Sequence, residues 1–124
     1  LLPVDRFAEQ YFTAPIIEIN NQELNYQINI NDYSEIIGFI NDAKYYYHNF
    51  YDKINILKQY HNNIEISYGL LNTKILISRE YAFAELTYIQ EFEKLISNDK
   101  ILDDYYYIDT RIHNQIVVKE RRNI

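Results

Sequence analysis

Tyr105-Tyr106-Tyr107-Ile108-Asp109-Thr110-Arg111-Ile112-His113-Asn114-Gln115-Ile116-Val117-Val118-Lys119-Glu120 is the stretch whose reading decides the fold. It divides into two strand-length segments around a short polar bend at His113-Asn114. Before the bend, apolar Tyr106, Ile108 and Ile112 alternate with Tyr107, Asp109 and Arg111, the period of a half-buried strand. After it, Ile116-Val117-Val118 is β-branched throughout, which favours extended backbone. A strand near the end of a chain readily becomes the border of a sheet. Its backbone N–H and C=O groups are then unpaired on one side and can accept a strand from another polypeptide.

Outward from this ribbon, the period of the pattern changes element by element. Ile64, Ile66 and Tyr68 alternate against Glu65 and Ser67, and Thr73, Ile75 and Ile77 alternate again. With the stretch from Lys53 to Tyr60 and turn material at His61-Asn62-Asn63 and Gly69 to Asn72, they predict a three-stranded antiparallel meander. Two helices flank it. Ile36, Ile37, Ile40, Ala43, Lys44 and Tyr47 share one face, and Asp32 with Glu35 resembles a capping box opening a helix over 33–47. The second helix is expected over 79–97, with Ser78 as N-cap. Its stripe is Ala82, Phe83, Leu86, Ile89, Phe92 and Ile96, with Glu85, Gln90, Glu91 and Lys94 mostly off it. Pro15 to Ile19 is a strand with proline at its start, and residues 25–30 alternate weakly. The expected fold is α+β: a mostly antiparallel sheet, two main helices packed on one face, and the C-terminal strand at or near the sheet edge. One domain is expected over 1–120, with 121–124 as a frayed tail.

Composition narrows the function. The chain has 124 residues, 48% of them hydrophobic and 24% charged, which suits one globular domain with a real core. No cysteine is present, so disulfides, thiolate metal sites and cysteine nucleophiles are excluded. The net charge of −6 and the scatter of basic residues argue against nucleic-acid binding; the cluster from Lys119 to Arg122 is expected to be a solvated tail. The absence of methionine, with Leu1-Leu2-Pro3 at the start, gives the expectation of a piece processed or excised from a longer chain. No run of about 18 apolar residues is present that could cross a membrane. Fourteen tyrosines are present, and one ring of each run, Tyr45-Tyr46-Tyr47 and Tyr105-Tyr106-Tyr107, is expected to pack inward.

Catalytic patterns are sparse. His48, His61 and His113 form no metal-binding spacing, and Asp103-Asp104, on a loop before a strand, reads as a capping or solvated pair. No nucleophile elbow, P-loop or Gly-rich fingerprint occurs. Asp109 and Arg111 lie two apart on one strand face, either as a surface ion pair or with Arg111 partly buried as an anchor. The reading is therefore of a non-enzyme with no cofactor, no metal and no small-molecule ligand.

With the elements in order, the chain resembles the extracytoplasmic β domain of the bacterial cell-division family FtsQ (DivIB in Gram-positive bacteria). The clearest match is residues 107–119, against a family pattern of I-D-L-R-Y, a short polar bend and a valine-rich strand. Thr110 stands where that pattern has leucine, and Ile112 where it has an aromatic residue. Ile64-Glu65-Ile66 and the strand from Thr73 to Ile77 resemble the family's paired strands. Glu91-Phe92-Glu93-Lys94-Leu95-Ile96 falls in the helix that follows them. Leu2-Pro3, Tyr11 and Ala14-Pro15-Ile16-Ile17 resemble the segment that opens the domain, although Asn20-Asn21 replaces the glycine usual after the first strand.

The resemblance implies a membrane-anchored protein with a POTRA domain upstream of Leu1. It places the chain on the extracytoplasmic (periplasmic) face of the inner membrane at the division septum. It implies a divisome scaffold that holds FtsB-like and FtsL-like bitopic proteins and takes an FtsB strand by β-addition at its last strand. Carried onto this chain, it implicates Ile112, Asn114, Gln115, Ile116, Val117 and Val118, with Arg111 in support. The residue-level reading of the terminal border reaches the same mechanism by itself. Two other readings compete: a small acidic phage-type inhibitor that mimics nucleic-acid charge, and a hydrolase or ligand-binding domain with a cleft between helices and sheet.

Overall fold

The computed structural model describes residues 15–19 and 30–121. Six strands form one sheet in the order of the chain: β1 (Ile16–Ile19), β2 (Ile54–Gln59), β3 (Asn63–Tyr68), β4 (Thr73–Ser78), β5 (Tyr105–Asp109) and β6 (Val117–Glu120). Helix α1 (Ile30–Tyr46) and the short α2 (His48–Tyr51) lie between β1 and β2. Helix α3 (Ala82–Ile96) and a 3-10 turn (Leu102–Asp104) lie between β4 and β5. The fold is α+β. The pairs β2–β3, β3–β4 and β5–β6 are antiparallel, whereas β1–β2 and β4–β5 are parallel. The parallel pairs fall where a helix intervenes, because only a long crossover lets consecutive strands run the same way.

The register explains the core. Ile17, Leu57, Ile66, Ile75, Ile108 and Val118 are successive partners, one from each strand, in a single aliphatic row. Ile64 pairs with Ile77, and Tyr68 with Thr73, on the same face. Against this face pack Ile36, Phe39 and Ala43 of α1, Phe50 of α2, and Leu86 and Ile89 of α3. Phe50 stacks on Tyr68 with ring centroids 4.8 Å apart. Each such side chain contributes about 1.5–3 kcal/mol by leaving water. The other face of the sheet carries Lys58, Glu65, Ser67, Lys74 and Asp109 and stays open to solvent. Gly69, in the β3–β4 turn, has a φ of 74°, and a Cβ there would collide with the Asp103 carboxylate.

Several expectations need correction. Helix α1 begins at Ile30, so Asp32 lies inside it and is no N-cap; the Glu35 carboxylate accepts from Arg79 Nη2 at 2.6 Å instead. The weak alternation of 25–30 ends inside this helix at Ile30, and residues 20–29 lie outside the described residues. Ser78 ends β4, and α3 starts at Ala82 with no side-chain cap. Tyr106 does not share a face with Ile108. A register shift between Tyr105 and Tyr107 leaves Tyr106 opposite no β6 residue, which turns Tyr105 into the core and Tyr106 outward. One ring of each tyrosine run does pack inward: Tyr105 is buried and Tyr47 half-buried, while Tyr45, Tyr46 and Tyr106 are exposed.

Ile89 sits in the middle of the α3 contact with the sheet and is fully buried. Ile89→Ala is expected to cost about 2–5 kcal/mol in chemical denaturation. A loss below about half a kcal/mol would mean that α3 does not cover this sheet.

Candidate functional site

The C-terminal ribbon borders the sheet. Among the described residues β6 pairs with β5 alone and is one of the two outer strands, β1 being the other, so half of its backbone N–H and C=O groups point away from the sheet. Val118 faces the helix layer opposite Ile108, and Val117 faces the open side opposite Asp109. Val118 and Ile116 are half-buried against the core. Val117, Ile112, Asn114 and Gln115 are exposed.

The segment before β6 leaves the sheet earlier than the alternation implies. β5 ends at Asp109, three residues short of Ile112. Thr110 turns inward and is buried, and its N–H donates to the Leu76 carbonyl at 3.0 Å. Its hydroxyl lies 2.8 Å from Glu85 Oε1 and 3.1 Å from the Leu76 carbonyl; its single proton goes to the nearer carboxylate. Arg111 folds back on Asp109. Its Nε and Nη2 donate to the two carboxylate oxygens at 2.9 and 2.8 Å, and its N–H donates at 3.0 Å. Arg111 is thus an ion-pair partner whose side chain is 37% exposed, held against the less exposed Asp109. The bend is where it was expected. Gln115 N–H donates to the Ile112 carbonyl at 3.1 Å, and Asn114 takes a φ of 59°, a conformation asparagine tolerates better than most residues.

Glu85 holds this corner together. It is on α3, expected off the apolar stripe, yet it is only 6% exposed. Ser78 donates to it through its N–H at 2.9 Å and through its hydroxyl, and Thr110 donates from the other side. One carboxylate therefore ties the end of β4, the first half of α3 and the start of the β5–β6 connection. A buried carboxylate is tolerable only when its lone pairs are filled, and here three donors fill them. The Arg111 guanidinium adds compensating charge. Hydrogen bonding to Asp109 raises its pKa, against partial burial, and the charges of Asp109 and Glu85 raise it further. Burial pushes the Asp109 carboxyl up, but the hydrogen bonds and charge of Arg111 together hold it below the ordinary aspartate value.

The far end of β6 is also fixed. Arg121 begins the stretch expected to fray, yet its N–H donates to the Asp104 carbonyl at 3.0 Å. Its guanidinium donates to the carbonyls of Asp103 and Leu71, both at 2.9 Å, and to the Thr73 hydroxyl at 3.2 Å. Lys100 pairs with Glu120. Lys119 and Arg121 both lie 5.8 Å from the centre of the exposed Tyr106 ring. Strand β6 is therefore pinned at both ends while its outer side stays open. Residues 122–124 lie outside the described residues.

Elsewhere the chemistry is thin. A cleft of about 390 Å³ is lined by Asn49, Phe50, Asp52, Lys53, Tyr68 and Glu93. Burial, with the Glu93 and Asp103 carboxylates, pushes the Tyr68 phenol well up. His48 Nε2 pairs with Asp52 at 3.1 Å on the surface, and His61 and His113 are exposed and far along the chain from it. Among the described residues no three His, Asp or Glu side chains converge to hold a metal. Asp104 accepts from the Ile101 N–H at 2.9 Å, a capping role.

Ser78, Glu85 and Thr110 are the residues a sequence reading passes over. Thr110 carries the available signal. It is polar directly after a strand and buried, and a buried hydroxyl demands a partner. No protein-family model matches the chain, and no curated protein matches it in sequence.

Glu85→Ala is expected to lower stability by about 2–4 kcal/mol, since it strands Ser78 and Thr110 together; Thr110→Val, which leaves Ser78 satisfied, should cost about 1–2 kcal/mol. The Asp109 pair gives a pH signature. Its folded pKa is depressed, so its contribution is present above the unfolded value of about 4 and fades as pH falls through the folded one. The urea midpoints of wild type and Asp109→Asn should therefore differ at pH 7 and converge toward pH 3. A constant difference would remove the ion pair from the account.

Proposed function

We propose that this chain is a non-catalytic interaction domain of the FtsQ/DivIB type, which holds FtsB-like and FtsL-like bitopic division proteins and receives the FtsB-like strand at β6. The observation that carries the reading is the outermost position of β6, pinned at both ends and open along its outer side. Main-chain hydrogen bonds along β6 would supply affinity, and the alternating side chains beside it specificity. Ile116, Val117 and Val118 flank the incoming strand. Ile112, Asn114 and Gln115 shape the approach to it, and Arg111 stabilises that approach through Asp109. The scaffold would work on the extracytoplasmic side of the membrane at the septum, anchored by a segment upstream of Leu1.

The alternative is a small acidic inhibitor that mimics nucleic-acid charge. A mimic presents unpaired carboxylates along one face. Here Asp109, Glu35 and Glu120 each meet a cation, Asp52 meets His48, and Glu85 is buried.

Val117→Lys places a charge on the open face of the border without touching the core. It should weaken binding of a peptide from the C-terminal part of an FtsB-like protein about ten-fold or more in a titration, with an unchanged circular-dichroism spectrum. Ile116→Asp should weaken binding too, with some loss of stability because Ile116 packs on the core. Unchanged affinity in both folded variants would remove β6 from the mechanism.

A further inference from the structure

The border of the sheet continues upward into an unpartnered flank of α3. Phe83 and Thr87 of α3 face α1: Phe83 lies 5.4 Å from the Tyr46 ring, and Thr87 meets the Tyr47 hydroxyl at 3.1 Å. On the other side of α3, Glu85 reaches Thr110 at one end of β5, and Phe92 meets Tyr105 at the other, with ring centroids 5.4 Å apart. That side of the helix therefore lies over β5. Tyr88 falls between Glu85 and Phe92 along the axis and is rotated about 40–60° past them, away from the buried stripe of Leu86 and Ile89. Leu95, two turns on from Tyr88, lies on the same flank. Both lie on the flank of α3 next to the one over β5, the strand that β6 follows in the sheet, and both are exposed, Tyr88 at 45% and Leu95 at 83%.

A leucine this exposed on a helix is ordinary by itself. Its position is not. The aliphatic row crossing the sheet reaches Val118, half-buried, and among the described residues no strand beyond it carries the row on. A seventh strand on β6 would put every second side chain on the helix face of the sheet, beside Val118 and beneath Tyr88 and Leu95. Its remaining side chains would lie on the open face beside Val117 and Lys119, where solvent and the Tyr106–Lys119 contact favour polar groups.

We infer that Tyr88 and Leu95 form the wall of the strand-accepting groove, and that its occupant is an extended segment of another polypeptide with apolar residues at alternate positions. The inference rests on the edge reading above and adds the chemistry of the partner to it. The backbone of β6 selects an extended chain of any sequence; the wall selects the phase of its side chains. A one-residue slip would swing the apolar set into water, so the wall also fixes register.

The test uses two labelled peptides of about ten residues and equal composition. In one, valine alternates with threonine between terminal lysines; in the other, the valines are adjacent. Fluorescence anisotropy is measured with wild type, with Val117→Lys, and with the double variant Tyr88→Ser, Leu95→Glu, whose exposed positions leave the fold intact by circular dichroism. The alternating peptide is expected to bind, and the block peptide at least about ten-fold more weakly. Both variants should lower affinity for the alternating peptide about ten-fold. If Val117→Lys weakens binding and the double variant does not, the edge reading stands and the wall is wrong. Equal binding of the two peptides also overturns the wall. If neither peptide binds, or Val117→Lys has no effect, the edge reading itself fails and the wall with it.

Discussion

The structure depends on a row of aliphatic side chains that runs across the sheet, one from each strand, from Ile17 through Leu57, Ile66, Ile75 and Ile108 to Val118. Backbone hydrogen bonding sets the spacing of this row, and burial under α1 and α3 makes it favourable. The helices determine where the row is covered. Leu57, Ile66, Ile75 and Ile108 are fully buried beneath them, and Val118 is only half-buried. Among the described residues the row is therefore closed at its middle and open at its two ends, at Ile17 of β1 as at Val118 of β6.

An unfinished edge is useful only if it keeps its shape. The Glu85 carboxylate and the Arg111–Asp109 pair hold the chain as it leaves β5, and Arg121 holds it as it leaves β6. The ordering of this ribbon is thus met within the folded protein, so that a strand added at β6 would find it preorganised. Burial of Glu85 makes the arrangement intolerant of partial change. A carboxylate with three donors is stable, whereas the same donors without it are stranded polar groups in an apolar corner.

Much of this was legible in the amino-acid pattern. The alternation of Ile64, Ile66 and Tyr68, and of Thr73, Ile75 and Ile77, specifies the central strands because one face of the sheet is buried and the other wet. The terminal bend was visible in His113-Asn114, since few residues other than asparagine and glycine accept the backbone angle required. The failures have local physical causes. A bulge at Tyr106 shifts the phase of β5 by one residue, and nothing in three consecutive tyrosines marks where the extra residue falls. Ser78 has the chemistry of a helix cap, but its hydroxyl and N–H meet Glu85 across the corner instead. The parallel pairings follow from helical crossovers, which alternation within a strand does not encode. Glu85 reads as a solvent-facing charge until its donors, seven and twenty-five residues away along the chain, are brought to it.

Amide hydrogen exchange along residues 116–120 tests the central claim most directly, with and without a strand-forming partner peptide. In the free protein, amides directed at β5 should exchange slowly and those directed outward quickly, so that protection alternates along β6; adding the peptide should slow the outward set alone. Uniform protection in the free protein would mean that the border is already covered, and uniform lack of protection that β6 is not docked. Either result would contradict an edge held ready for a partner.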